Sequence, residues 1–184
     1  MYRRNNYYRP RAAKYSNETV CFNAQVTADT DGGQPLTANP IIIVPATNVL
    51  GNRKVKNFTL KVTSDLNDDP IIGVLAYVPE GTDMSQPLVT GTMQSLYEPN
   101  QNVIATFVIP PNCVRNANQT LGAASNAQSI TVTTKLARNL NTGDSIQLAL
   151  VTPNGLTAGD GTPIEGQNRP PCVICGTINF SIKY

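Results

Sequence analysis

Apolar side chains recur at every second residue in stretch after stretch of this chain, and no window of eleven residues repeats them with a helical period. In ETVCFNAQVTA, Val20, Phe22, Ala24 and Val26 share one face, and in KVKNFTLKVTS, Phe58, Leu60 and Val62 do the same. SITVTTKLAR aligns Ile130, Val132, Thr134 and Leu136. DSIQLALVTP aligns Ile146, Leu148 and Leu150, and CVICGTINFSIKY aligns Cys172, Ile174, Ile178, Phe180 and Ile182. A period of two is the geometry of a strand with one dry face. PIIGVLAYVPEG is apolar throughout until Pro79 and Gly81 end it, the pattern of a strand covered on both faces. QNVIATFVIPP stops at Pro110 and Pro111, PLVTGTMQ is a weaker strand, and Ile41–Val44 is a short additional candidate.

Half-apolar strands must bury their dry faces against one another, by closure into a barrel or by packing sheet on sheet. Eight substantial strands, with long connections over 28–40, 110–128 and 153–171, fit an all-β jelly roll of two four-stranded antiparallel sheets. The rival is an immunoglobulin-like sandwich, which is usually shorter and often centres on a buried Trp; this chain has none. The polar, nearly uncharged loops NCVRNANQTLGAASNAQS and NGLTAGDGTPIEGQNRPP read as contact or outward-facing loops.

Charge divides the chain into two unequal parts. Residues 1–15, MYRRNNYYRPRAAKY, hold five cations (Arg3, Arg4, Arg9, Arg11, Lys14), four tyrosines and no acid. That leaves nine cations against twelve acids in residues 16–184, so a net of +2 conceals a basic arm on a faintly acidic body. Charged residues are only 14% of the chain, against about a quarter in ordinary soluble proteins. Net charge keeps copies apart, so a body this neutral is expected to meet its own kind. The arm is expected to seek a polyanion. Arginines fork onto phosphate oxygens, and Tyr7 and Tyr8 can stack on unpaired bases. That combination grips single strands without reading sequence. RRNNYYRPR is also a candidate nuclear-import signal. The N-terminus has no apolar signal-peptide core, and no apolar run is long enough for a helical membrane span.

The residues point away from catalysis and metals. The chain has no histidine, which removes Ser-His and Cys-His nucleophile systems. Its acids sit in turn-like segments, and no phosphate-binding or zinc-protease motif is present. Asp29 and Asp31, and the group Asp65, Asn67, Asp68 and Asp69, offer oxygen ligands of the kind calcium prefers. Their spacing is not that of a helix-loop-helix calcium site, and turn chemistry explains them. The Cys172-to-Cys175 CxxC lies within an alternating pattern that turns the two thiols to opposite faces. With no second pair to complete a zinc site, the cysteines read as core-filling thiols. No cofactor and no metal site is expected.

GNRKVKNFTLKVT, PIIGVLAYVPEGT, SLYEPNQNVIATFVI and ARNLNTGDSIQLALV together resemble the capsid proteins of small circular single-stranded DNA viruses that encode a replication initiator (CRESS-DNA viruses). The likeness covers roughly residues 15–184. The turns Tyr77–Gly81, Ser95–Val103 and Arg138–Ile146 are its most distinctive parts. The resemblance implies a jelly-roll subunit (16–184) building an icosahedral shell, most simply T=1 with about 60 copies. The basic arm (1–15) then lies inside on single-stranded DNA. The expected location is the virion, with assembly in the host nucleus or cytoplasm. About 60 arms would bring on the order of 300 positive charges against one or two thousand phosphates. The inner wall is therefore expected to add cations, with Arg53, Lys54 and Lys56 as candidates, unless mobile counterions neutralise the remainder. The alternative is a secreted jelly-roll binding module, a lectin or cytokine-like trimer.

Overall fold

Alternation becomes geometry in ten strands: β1 (Ser16–Val26), β2 (Leu36–Thr37), β3 (Ile41–Val44), β4 (Arg53–Ser64), β5 (Ile71–Val78), β6 (Val103–Ile109), β7 (Ser129–Thr134), β8 (Arg138–Leu140), β9 (Ser145–Thr152) and β10 (Cys172–Lys183). The computed structural model describes residues 14–26, 36–37, 40–65, 70–82, 84, 102–111, 129–152 and 172–184, with no helix among them. The strand expected in PLVTGTMQ and the loops 112–128 and 153–171 lie outside the described residues.

The pairing is that of one long antiparallel ribbon folded over on itself. Ser16 stands opposite Ile182, Leu36 opposite Thr152, Thr63 opposite Ser129, and Ile71 opposite Ile109. Successive pairs of the ribbon fall alternately into two sheets. One sheet runs β1-β10-β4-β7 with β8 also on β4, and the other runs β2-β9-β5-β6 with β3 also on β9. Lateral ladders between β10 and β4, and between β9 and β5, complete each sheet. This is a jelly roll.

Among the described residues each sheet has five strands rather than the four expected, because two rows are interrupted. β7 and β8 occupy successive stretches of the same edge of β4, and β2 and β3 share one edge of β9. The break between β7 and β8 corrects the sequence reading at Leu136. It was aligned with Ile130 and Val132 but follows the end of β7 and is exposed.

The core lies between the sheets. Phe58, Leu60 and Val62 from β4 meet Ile174, Ile178, Phe180 and Ile182 from β10, and Ile146, Leu148 and Leu150 from β9. The Phe58 and Phe180 rings sit 5.9 Å apart, tilted, as aromatic quadrupoles prefer. Each such side chain contributes about 1.5–3 kcal/mol by leaving water. Phe22 lies flat enough over β10 that Gly176 is required beneath it. A Cβ there would strike the Phe22 ring and stand 2.7 Å from the Lys61 carbonyl oxygen.

β5 is buried on both faces, as its unbroken apolar run predicts. Its inward residues Ile71 and Leu75 join the main core. Ile72, Val74, Ala76 and Val78 form a second cluster on the outer side of their sheet with Met84 and Ala149. The thiols divide by strand parity: Cys172 is buried, whereas Cys175 and Cys21 are exposed, so core filling describes only the first of the three. Cys113 lies outside the described residues.

Candidate nucleic-acid interface

β4 opens with the three cations that the sequence offers as wall residues, and the fold treats them differently. Arg53 has the parity of Val55, which is fully buried, and is itself only 6% exposed. Its guanidinium donates through Nη1 to the Pro45 carbonyl at 2.8 Å and through Nη2 to the Asp144 carbonyl at 2.9 Å. Arg53 is therefore a structural cation that ties two loops together. This corrects its assignment as a contact for a polyanion.

Lys54 faces the opposite way and is exposed. Lys56, two residues on, shares that outer face by alternation; the bulge at Asn57, whose φ of 58° shifts the register against β10, then switches the parity so that Phe58, Leu60 and Val62 face inward like Arg53 and Val55. Lys56 Nζ stands 4.0 Å from the centroid of the Tyr15 ring. Tyr15 immediately precedes β1, the edge strand, while Lys56 belongs to β4, with β10 between them. The contact therefore spans two strand spacings, about 10 Å, and pins the root of the arm against the outer face of this sheet. Lys14 is exposed beside it. Arg3, Arg4, Tyr7, Tyr8, Arg9 and Arg11 lie outside the described residues.

Arg53 leads to an arrangement that the sequence reading did not foresee. Two turns of the same design meet at one end of the sandwich. Pro79–Thr82 is closed by Thr82 N–H donating to the Pro79 carbonyl at 3.2 Å, and Asn141–Asp144 by Asp144 N–H donating to the Asn141 carbonyl at 3.3 Å. Each places a glycine third, Gly81 at φ 76° and Gly143 at φ 83°, where an L side chain is strained.

Asp144 sits at their junction, 4% exposed. Its carboxylate accepts from the Tyr77 hydroxyl at 2.7 Å, the Asn141 N–H at 2.7 Å and the Glu80 N–H at 3.2 Å. Burial pushes its carboxyl up, but those three donors and the nearby Arg53 charge outweigh that and hold it below the usual carboxylate value. Burial, then the bond to Asp144 and its negative charge, raise the Tyr77 hydroxyl to about 12. The loop before β4 joins through Gly143 N–H, which donates to the Thr47 carbonyl at 3.1 Å. The YVPEG and RNLNTGDSI segments thus meet around one buried carboxylate. Their distinctiveness in sequence was visible, but their contact across 60 or more positions was not.

This junction is built to hold loops. Among the described residues it has no histidine or cysteine, and the carboxylate of Asp144 is taken up by its three donors, while the Glu80 side chain lies against Gly143. Among the described residues no group of three His, Cys, Asp or Glu could hold a metal ion. Asp29, Asp31, Asn67, Asp68 and Asp69 lie outside the described residues.

Neither a protein-family model nor a curated protein matches the chain. Among solved structures it aligns with a chain from the infectious bursal disease virus Gx strain at 13% identity and TM-score 0.34. That alignment covers 93% of this chain and 32% of the other. A chain from the full particle of Israeli acute paralysis virus heated to 63 degrees aligns at 11% identity and TM-score 0.33, covering 92% and 71%. A chain from deformed wing virus carrying the GFP gene aligns at 10% identity and TM-score 0.30, covering 91% and 44%. The chain spans about a third of the length of the first structures it matches. The architecture rests on the strand ladders, not on these superpositions.

Proposed function

We propose that this chain is a viral capsid subunit. Its jelly-roll body packs against copies of itself to form an icosahedral shell, and its basic arm holds the enclosed nucleic acid. The observation that carries this reading is the joining of two unlike parts. A sandwich poor in charge is preceded, at the root of its edge strand β1, by a segment with five cations and four tyrosines but no acid. The body lacks the net charge that would keep copies apart, and the arm carries phosphate-forking and base-stacking side chains.

The finer reading follows the resemblance to CRESS-DNA virus capsid proteins: a T=1 shell of about 60 copies around single-stranded DNA. Arg3, Arg4, Tyr7, Tyr8, Arg9, Arg11 and Lys14 are its contacts. The role is structural, with no catalytic step, and the virion is its location.

Size-exclusion chromatography with negative-stain microscopy of the purified protein tests the reading. Closed particles carrying nucleic acid are expected, and deleting residues 1–14 should leave the body folded but reduce the nucleic acid that co-purifies. A monomer at every concentration and salt, or a trimer free of nucleic acid, overturns it.

A further inference from the structure

The two outer faces of the sandwich differ in kind. On the β5 side, Ile72, Val74, Ala76 and Val78 are apolar and covered. On the β1-β10-β4-β7 side, the outward positions are mainly Thr, Asn and Ser interspersed with lysines, together with the exposed thiols of Cys21 and Cys175. Thr19 and Asn179 are hydrogen-bonded across β1 and β10, and Ser181 donates to Asn17 at 2.8 Å.

Strand parity and register place four cations on that face. Lys54 lies directly opposite Lys183, Lys56 opposite Ser181, and Lys61 opposite Thr177. No outward position of these strands carries an acid among the described residues; Asp65, just past β4, is at the far end. Two lysines directly opposed across a ladder repel each other. Among the described residues no carboxylate pairs with Lys54, Lys56, Lys61 or Lys183, and Lys56 rests on the Tyr15 ring instead. Such a face favours an anion that can lie along it. Its hydroxyls and amides add hydrogen-bonding partners for phosphate and sugar.

We propose that this outward face is a second contact surface for single-stranded nucleic acid, continuous with the arm and joined to it at Tyr15 and Lys56. The inference rests on reading the chain as a nucleic-acid-enclosing subunit, and it identifies the wall that supplements the arm. Lys61 and Lys183 replace Arg53 among its cations. The Lys56–Tyr15 contact places Tyr15, with the exposed Lys14 beside it, at the border of this same face. Neutralising the Lys54–Lys183 repulsion gives the face a preference for a bound polyanion over open solvent.

The test uses the full-length chain with Lys54, Lys56, Lys61 and Lys183 all changed to Gln, beside the same four changed to Arg and a deletion of residues 1–14. Lys54 and Lys61 are exposed, Lys56 and Lys183 are half-buried at the surface, and none belongs to the core, so far-UV circular dichroism and the urea midpoint should stay close to the parent's. Binding to a labelled oligo-dT of about 30 nucleotides is followed by anisotropy across a salt series. The glutamine variant should bind roughly tenfold or more weakly near 100 mM salt. Its slope of log affinity against log salt should fall by about 0.7 per lysine, near 3 for the four, with the arginine variant restoring both.

If the glutamine variant keeps the parental affinity and slope while the arm deletion loses binding, this inference fails and the capsid reading stands. If neither variant nor deletion alters binding, both fail. A glutamine variant that binds oligo-dT as the parent does but no longer self-associates also overturns the inference, because the face then contacts another copy.

Discussion

Replacing Asp144 by Ala removes the acceptor on which three segments converge. The carboxylate takes hydrogen bonds from the Tyr77 hydroxyl, the Asn141 N–H and the Glu80 N–H, and the residue is 4% exposed. Bonds to a charged group contribute about 1.5–3 kcal/mol each, less when they share one acceptor, and the stranded donors lose their partner inside the sandwich end. The expected loss is about 3–5 kcal/mol, a large part of an ordinary domain's stability. Asp144→Asn keeps the shape but turns an NH2 towards a donor, and should cost about 2–3 kcal/mol. Tyr77→Phe removes one bond of the three, and about 1–2 kcal/mol.

Urea unfolding of the purified chain, followed by circular dichroism because the chain has no tryptophan, gives the values. Acidity supplies an independent check. Because the folded carboxyl titrates below its unfolded value near 3.9, the unfolded chain binds more protons in that window, and stability falls as pH drops. The contribution is complete above the unfolded value and vanishes as pH falls through the folded one. The advantage of the parent over Asp144→Asn should therefore narrow below about pH 4. A loss under about 0.5 kcal/mol for Asp144→Ala, or an advantage that is constant with pH, would refute the reasoning.

Three further outcomes follow from the same geometry. Leu148→Asp places a charge where the side chain is fully buried between the sheets and should abolish folding; a soluble, assembled variant would contradict the inward assignment of β9. Gly176→Ala meets the Phe22 ring and the Lys61 carbonyl, so it should lower stability by about 1–3 kcal/mol in urea, and a neutral result would show that β10 can shift. The Tyr77 hydroxyl, raised to about 12, favours the folded state fully below the unfolded value near 10, and this contribution is lost as pH rises through 12. Tyr77→Phe should therefore lack that part of the alkaline loss, which spectrophotometric titration and pH-dependent melting would show.

How far the sequence could be read depended on whether a feature is local. Phe58, Leu60 and Val62, or Ile174 through Ile182, declare their face by alternation alone, and β5 declares its double burial by an unbroken apolar run. Alternation says nothing about partners, so the opposition of Ser16 and Ile182 and the nesting of the ribbon emerge only from the fold. Local context also misled at two points. Leu136 continues the period of two after its strand has ended. The run NRKVKN reads as three equivalent cations, although Arg53 shares the parity of Val55. Arg53 and Val55 face inward together with Phe58, Leu60 and Val62 only because the chain bulges at Asn57, a left-handed residue that no pattern of hydrophobicity announces. The segments YVPEG and RNLNTGDSI were recognisable as distinctive, but their reason, a shared carboxylate, lies in tertiary contact.

Among the described residues β1 has no neighbour in its sheet except β10, a strand about 160 positions away along the chain. During synthesis the ribosome must therefore deliver β10 before β1 finds that mate, and so distant a pairing closes slowly. Until then the Lys56–Tyr15 contact, which needs β1 seated beside β10, has no surface to form on. That contact thus serves as a certificate of completed folding: only a copy whose β1 and β10 have met can make it.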